Sequence, residues 1–165
     1  MKVFDSQRSA PATTRVRRST PALPLCPNPR RWLWQTTWRH TEAASRVAYL
    51  TLHSYSQLFM YPFGHTLDLP GDWEELDRVA KLAVEALTAV HGTEYEYGSC
   101  SSILYLDAGS SRDYVKGVAE VPYVYTIELR DQGYYGFLLP PEQILPTCEE
   151  TWEAIRVAAK EALAL

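Results

Sequence analysis

The chain has 165 residues, 46% of them apolar and 12% aromatic, with a formal net charge of −4. That is enough for one domain with a real core, and it excludes wholesale disorder. Residues 1–42 carry seven Arg and one Lys against Asp5 and Glu42 (+6), whereas residues 43–165 carry eight basic and eighteen acidic residues (−10), a break that separates two kinds of segment.

Residues 1–31 are rich in Pro, Thr, Ser and Arg, hold five prolines and show no apolar period. Such a stretch buries too little to offset chain entropy and is expected to be disordered. Trp32, Trp34 and Trp38 among Arg30, Arg31 and Arg39 have the aromatic-basic composition of nucleic-acid surfaces. Composition alone is a weak signal, so residues 1–42 read as a basic, Pro/Arg-rich leader, disordered or non-native, and nucleic acid is not the expected partner. No apolar h-region follows Met1, so no signal peptide is expected, and no apolar run reaches a membrane-spanning length. Cys26, Cys100 and Cys148 contain no Cys-x-x-Cys pair, which excludes a cysteine zinc knuckle and gives no disulfide framework.

The folded part is expected to begin at residue 43. Val47-Ala48-Tyr49-Leu50-Thr51-Leu52-His53 is a short β-rich run, the pattern of a strand covered on both faces. Gly64 and Pro70-Gly71 mark a loop. Asp72 with Glu75 then makes a capping box, Leu76, Ala80, Ala83, Leu87 and Val90 follow at helical spacing, and Gly92 stops the helix. Residues 101–105 read as a short strand and residues 108–112 as a loop. Tyr123–Leu129 reads as a strand with Val124, Thr126 and Glu128 on one face and Tyr123, Tyr125 and Ile127 on the other. An extended piece, Gly136-Phe137-Leu138-Leu139, is stopped by Pro140-Pro141. Thr147 and Glu150 suggest a second capping box, opening a helix with Trp152, Ile155, Ala159 and Ala162 inward. Strands alternating with long helices predict α/β with a largely parallel, mixed sheet.

Two strand ends carry ionisable groups, His53 and Glu128. A lone strand-end histidine is more often structural than a ligand, and Glu128 could simply pair with Arg130. Yet an apolar strand that buries a carboxylate has a cost to offset, and in open α/β sheets sites gather at the carboxyl ends of strands. Ser54 beside His53 does not make a Ser-His pair, because neighbouring strand residues point to opposite faces.

The segment Thr51-Leu52-His53-Ser54-Tyr55-Ser56-Gln57 with Tyr61-Pro62-Phe63-Gly64 resembles the third zinc-ligand segment of the A/B-type metallocarboxypeptidases. Ala89-Val90-His91-Gly92-Thr93, Gly109-Ser110-Ser111-Arg112-Asp113, Tyr125-Thr126-Ile127-Glu128-Leu129-Arg130-Asp131 and Gly136-Phe137-Leu138-Leu139-Pro140-Pro141 follow in that family's order. The resemblance covers roughly residues 45–165. It implies the C-terminal part of a zinc carboxypeptidase fold in residues 43–165, removal of single C-terminal residues from peptide or protein substrates, and an extracellular setting. It implies Zn as cofactor with His53 as a ligand, and Glu128 as general base, then acid. Tyr105 matches the tyrosine that closes over the substrate's terminal carboxylate, and Tyr55 and Phe137 match walls of outer subsites. Arg112 matches the floor of the pocket for the last side chain, where an arginine suits a terminal Glu or Asp; Asp107 matches another wall and can neutralise it.

His91-Gly92-Thr93-Glu94 has His-x-x-Glu spacing, but by the same resemblance it is not the family's metal pair, which lies upstream. A catalytic zinc takes three protein ligands, and the chain supplies one. The expectation is therefore a truncated metallocarboxypeptidase, with a catalytically inactive interaction or regulatory module as the alternative.

Overall fold

The computed structural model describes residues 47–164. The leader expected at residues 1–42, with Trp32, Trp34 and Trp38, lies outside the described residues. Four strands form: β1 (Ala48–Ser54), β2 (Leu58–Tyr61), β3 (Glu96–Ser99) and β4 (Tyr123–Leu129). They alternate with α1 (Trp73–His91), α2 (Cys100–Ile103), α3 (Ser111–Gly117) and α4 (Ile144–Ala162), the last preceded by a 3₁₀ turn at Pro141–Gln143. The sheet order is β1-β4-β2-β3. β1 runs parallel to β4 and β2 parallel to β3, while β2 and β4 are antiparallel, so the expected mixed, largely parallel α/β sheet is present.

β4 organises both layers through its period of two. Tyr123, Tyr125 and Ile127 join the main core with Phe59, Leu76, Leu87 and Ala158, beneath α1 and α4. Val124, on the opposite face, joins Val115 and Val121 beside α3. Helix α1 forms because Leu76, Val79, Ala80, Ala83, Val84 and Leu87 recur at helical spacing and are all buried. Gly92 ends it in the left-handed region (φ +75°), its N–H donating to the Thr88 carbonyl at 2.8 Å. Asp72 holds the N-cap position as expected, but the capping box does not form. Its carboxylate receives Lys116 Nζ at 2.6 Å, and Glu75 is held by Arg78 and by the Tyr123 hydroxyl.

Other expectations are corrected. Residues 101–105 are not a strand: α2 starts at Cys100, and the strand is the four residues before it. Residues 136–139 bend instead of extending, with the Leu138 N–H closing on the Tyr135 carbonyl at 3.1 Å. Residues 108–112 run from loop into α3, so Arg112 is helical. Thr147 and Glu150 do not cap α4, which is already a turn old there; Thr147 Oγ1 donates to the Gln143 carbonyl at 2.6 Å. The inward face of α4 is Thr147, Glu150, Thr151, Ala154, Ala158 and Ala162, so Ala162 is where expected and Trp152, 61% exposed, faces out. Among the described residues no helix is long and apolar enough to cross a membrane.

Candidate active site

The β1–β4 register sets His53 directly beside Glu128. Neighbours in a parallel ladder point to the same face, and the two side chains meet with His53 Nδ1 3.7 Å from Glu128 Oε1. Thr51, two residues back on that face, places its Oγ1 3.0 Å from His53 Nε2. The pair is asymmetric in burial, with the His53 side chain 51% exposed and Glu128 only 15%. Burial pushes the Glu128 carboxyl above its ordinary range, and the positive charges available on His53 and Arg112 offset part of that rise. A carboxyl that holds a proton more readily than usual is suited to exchange one.

Glu128 lines an open cavity of about 240 Å³ together with Tyr55, Tyr105, Leu104 and Phe137. Four of the six sequence-predicted site residues therefore share one wall, with His53 adjoining it next to Ser54. The Tyr55 and Phe137 rings meet edge to face, their centroids 5.1 Å apart. Phe137 is carried by a loop that folds around one carboxylate: Asp131 accepts the N–H groups of Gly133, Tyr135 and Gly136 at 3.1, 2.7 and 3.1 Å. Gly136 has φ +58°, and a Cβ there would come within 3.2 Å of the Tyr55 ring.

Arg112 does not line that cavity. It is 4% exposed and donates from Nε to Asp113 (3.1 Å) and from Nη2 to Asp107 (2.8 Å) and Ser110 (3.3 Å). Asp113 in turn accepts the backbone N–H groups of Gly64 and His65 and sits 2.7 Å from His65 Nδ1. Burial alone would raise the Asp113 carboxyl, but the His65 ring, these N–H groups and Arg112 hold it below its ordinary range.

Arg130 does not pair with Glu128. It forms a two-point ion pair with Glu150, which is fully buried, and its Nη2 donates to Thr93 Oγ1 at 2.6 Å. Sequence reasoning missed Glu150 and His65. Glu150 had one usable signal, a carboxylate on the apolar face of an amphipathic helix; His65 had none.

Among the described residues no group of three or more His, Cys, Asp or Glu converges where a metal ion could be held. His53 offers one imidazole. His91 is turned to Glu149, with Nε2 2.8 Å from Oε2, and only the Glu94 backbone carbonyl is engaged, by Gln57, so the His-x-x-Glu spacing brings no donors together. The described residues by themselves do not make a three-ligand zinc centre.

Comparison with known proteins identifies the family. The profile described as zinc carboxypeptidase matches residues 30–154 and so begins within the basic segment. Carboxypeptidase B of Astacus astacus is 61% identical over 117 residues, 71% of this chain but 39% of that protein. Carboxypeptidase A2 of Mus musculus is 49% identical over 109 residues, 66% of this chain and 26% of the relative. The structure of bovine thrombin-activatable fibrinolysis inhibitor, solved in complex with tick carboxypeptidase inhibitor, superposes with a TM-score of 0.73 at 36% identity, covering 82% of this chain and 44% of the other. The chain thus spans less than half the length of each of these relatives, and it belongs to the zinc carboxypeptidase family.

Proposed function

We propose that this chain carries the proton-transferring half of a metallocarboxypeptidase site, which releases single C-terminal residues from peptides. The observation that carries the reading is the register pairing of His53 with Glu128, 3.7 Å apart at the rim of the Tyr55, Tyr105 and Phe137 cavity. Glu128 takes the proton of the attacking water and returns it to the departing amine nitrogen, a role its burial favours. His53 is one donor to the family's zinc, with the other donors supplied from outside the described residues. Tyr105 closes on the substrate, and Tyr55 and Phe137 hold its upstream residues. Extracellular action belongs to the same reading and rests on the family alone.

A preference for acidic terminal residues rests on Arg112. Its Nη1 has no partner among the described residues, which leaves one donor edge for a substrate carboxylate. Asp107 opposes this. Asp107→Ala should raise kcat/KM for terminal Glu relative to terminal Leu; an unchanged ratio removes Arg112 from selectivity.

The single donor favours a second reading, a non-catalytic chain that acts through its surfaces. Residues 47–164 grafted in place of the matched stretch of Astacus carboxypeptidase B separate the two. The first reading expects a zinc-loaded graft that releases terminal residues, with kcat falling ~10²–10⁴-fold in Glu128→Gln. A folded, zinc-loaded graft without cleavage, or one indifferent to the Glu128 change, leaves only the second.

A further inference from the structure

The three most exposed large apolar or aromatic side chains among the described residues are Tyr134 (88%), Leu138 (84%) and Phe137 (79%). All three lie within five consecutive residues. Exposed apolar residues scattered singly are ordinary, whereas a cluster of them on one loop marks a contact surface. The loop also carries no charge, since Gln132 to Pro141 contains no Lys, Arg, Asp or Glu.

The backbone beneath these side chains is fixed. Asp131 holds three N–H groups of the loop, and the Leu138 N–H closes on the Tyr135 carbonyl. Gly133 (φ +107°) and Gly136 (φ +58°) lay their backbone against the Tyr55 ring, where a Cβ would lie 3.4 Å and 3.2 Å from it. With both glycines packed on Tyr55, the loop leaves Tyr134, Phe137 and Leu138 to solvent. The Tyr134 ring is braced edge to face by Tyr135, their centroids 4.7 Å apart. Aromatic side chains on a fixed loop lose little conformational entropy when a ligand covers them.

Position ties this surface to the active-site cavity. Tyr55 and Phe137 line the cavity with Glu128, and the same Phe137 is part of the exposed cluster. A peptide whose last bond lies at Glu128, and whose upstream residues run along Tyr55 and Phe137, meets Leu138 and Tyr134 on the same loop. We propose that Tyr134 and Leu138 form an outer platform that selects peptides carrying a large apolar or aromatic residue upstream of those held by Tyr55 and Phe137. An uncharged surface gives a charged residue at that place no partner, so the selection is for apolar bulk. The proposal rests on the carboxypeptidase reading above, but the two fail separately.

The test titrates the isotope-labelled 165-residue chain with hexapeptides of glycine and serine that end in leucine and carry one phenylalanine, moved from the third to the sixth position from the C-terminus. One placement should bind about tenfold more tightly than the peptide without phenylalanine, a modest return for covering one aromatic ring. It should also shift the Tyr134 and Leu138 amide signals. The advantage should vanish in the double variant Tyr134→Ser, Leu138→Ser while circular dichroism stays unchanged. If that variant fails to fold, the shifts at the two parent amides decide the question. An advantage equal at all four placements overturns the proposal, and so does binding that leaves residues 134 and 138 unshifted. Self-association of the chain, or adsorption to phosphatidylcholine vesicles, that the double change abolishes overturns it too, by giving the surface another occupant. Position-dependent phenylalanine selection together with an inactive Astacus graft upholds the platform and overturns only the catalytic reading.

Discussion

Glu128 and Asp113 are both carboxylates held near Arg112, and their environments push them in opposite directions. Burial raises Glu128, so its folded form binds a proton more tightly than the unfolded chain does, and its contribution to stability is lost as pH rises through the carboxylate range. Glu128→Gln should therefore stabilise the fold at pH 7.5 and lose that advantage near pH 4, read as the difference in urea midpoint from the parent chain. Asp113 is lowered on balance, so its stabilisation is present above the ordinary aspartate range and is lost as pH falls; Asp113→Asn should cost most at neutral pH. Gly64 belongs with this pair. A Cβ there would lie 1.8 Å from Asp107 Oδ1 and 2.1 Å from Arg112 Nη2, so Gly64→Ala should force the buried ion pair apart at a cost of about 2–4 kcal/mol in denaturant unfolding. His53 and Glu128 were visible in sequence because each ends a β-rich apolar run with an ionisable group. The Gly64–Asp107–Arg112–Asp113–His65 cluster was visible only as separate motif letters, because nothing in a linear spacing of 49 residues between Gly64 and Asp113 announces a hydrogen bond.

Glu150 shows the same limit at the scale of a helix. A Thr-x-x-Glu spacing and a buried ion pair use the same letters, and the helix start was decided by the Pro141–Gln143 turn that feeds α4, four residues earlier than the cap pattern suggested. Once α4 starts at Ile144, Glu150 turns inward and needs a cation, which Arg130 supplies from the end of β4. Glu150→Ala leaves Arg130 without its carboxylate and should destabilise the domain by about 3–5 kcal/mol, measured by equilibrium unfolding. α1 was legible because apolar residues from Leu76 to Leu87 repeat at helical spacing over about three turns. β2 and β3 were not, since four-residue strands carry too few letters to show a period, and the run after Cys100 is equally compatible with a turn of helix.

At the scale of the molecule, the mixed sheet was legible from the alternation of element types, whereas its order was not: neighbouring strands in sequence are not neighbours in space. β1 and β2 are separated by three residues of chain yet flank β4 on opposite sides. That placement has a kinetic consequence. β4 is the last strand to be synthesised but the one that joins β1 to the rest, with Ala48 waiting for Tyr123 to complete its ladder. Among the described residues the sheet is complete only when this last strand lies between β1 and β2. Contacts so distant along the chain delay folding, and stopped-flow refolding should fall in the milliseconds-to-seconds range typical of non-local topologies. During translation, β1 leaves the ribosome well before β4, the strand among the described residues with which it pairs, and that partner arrives only when the segment carrying Glu128 emerges.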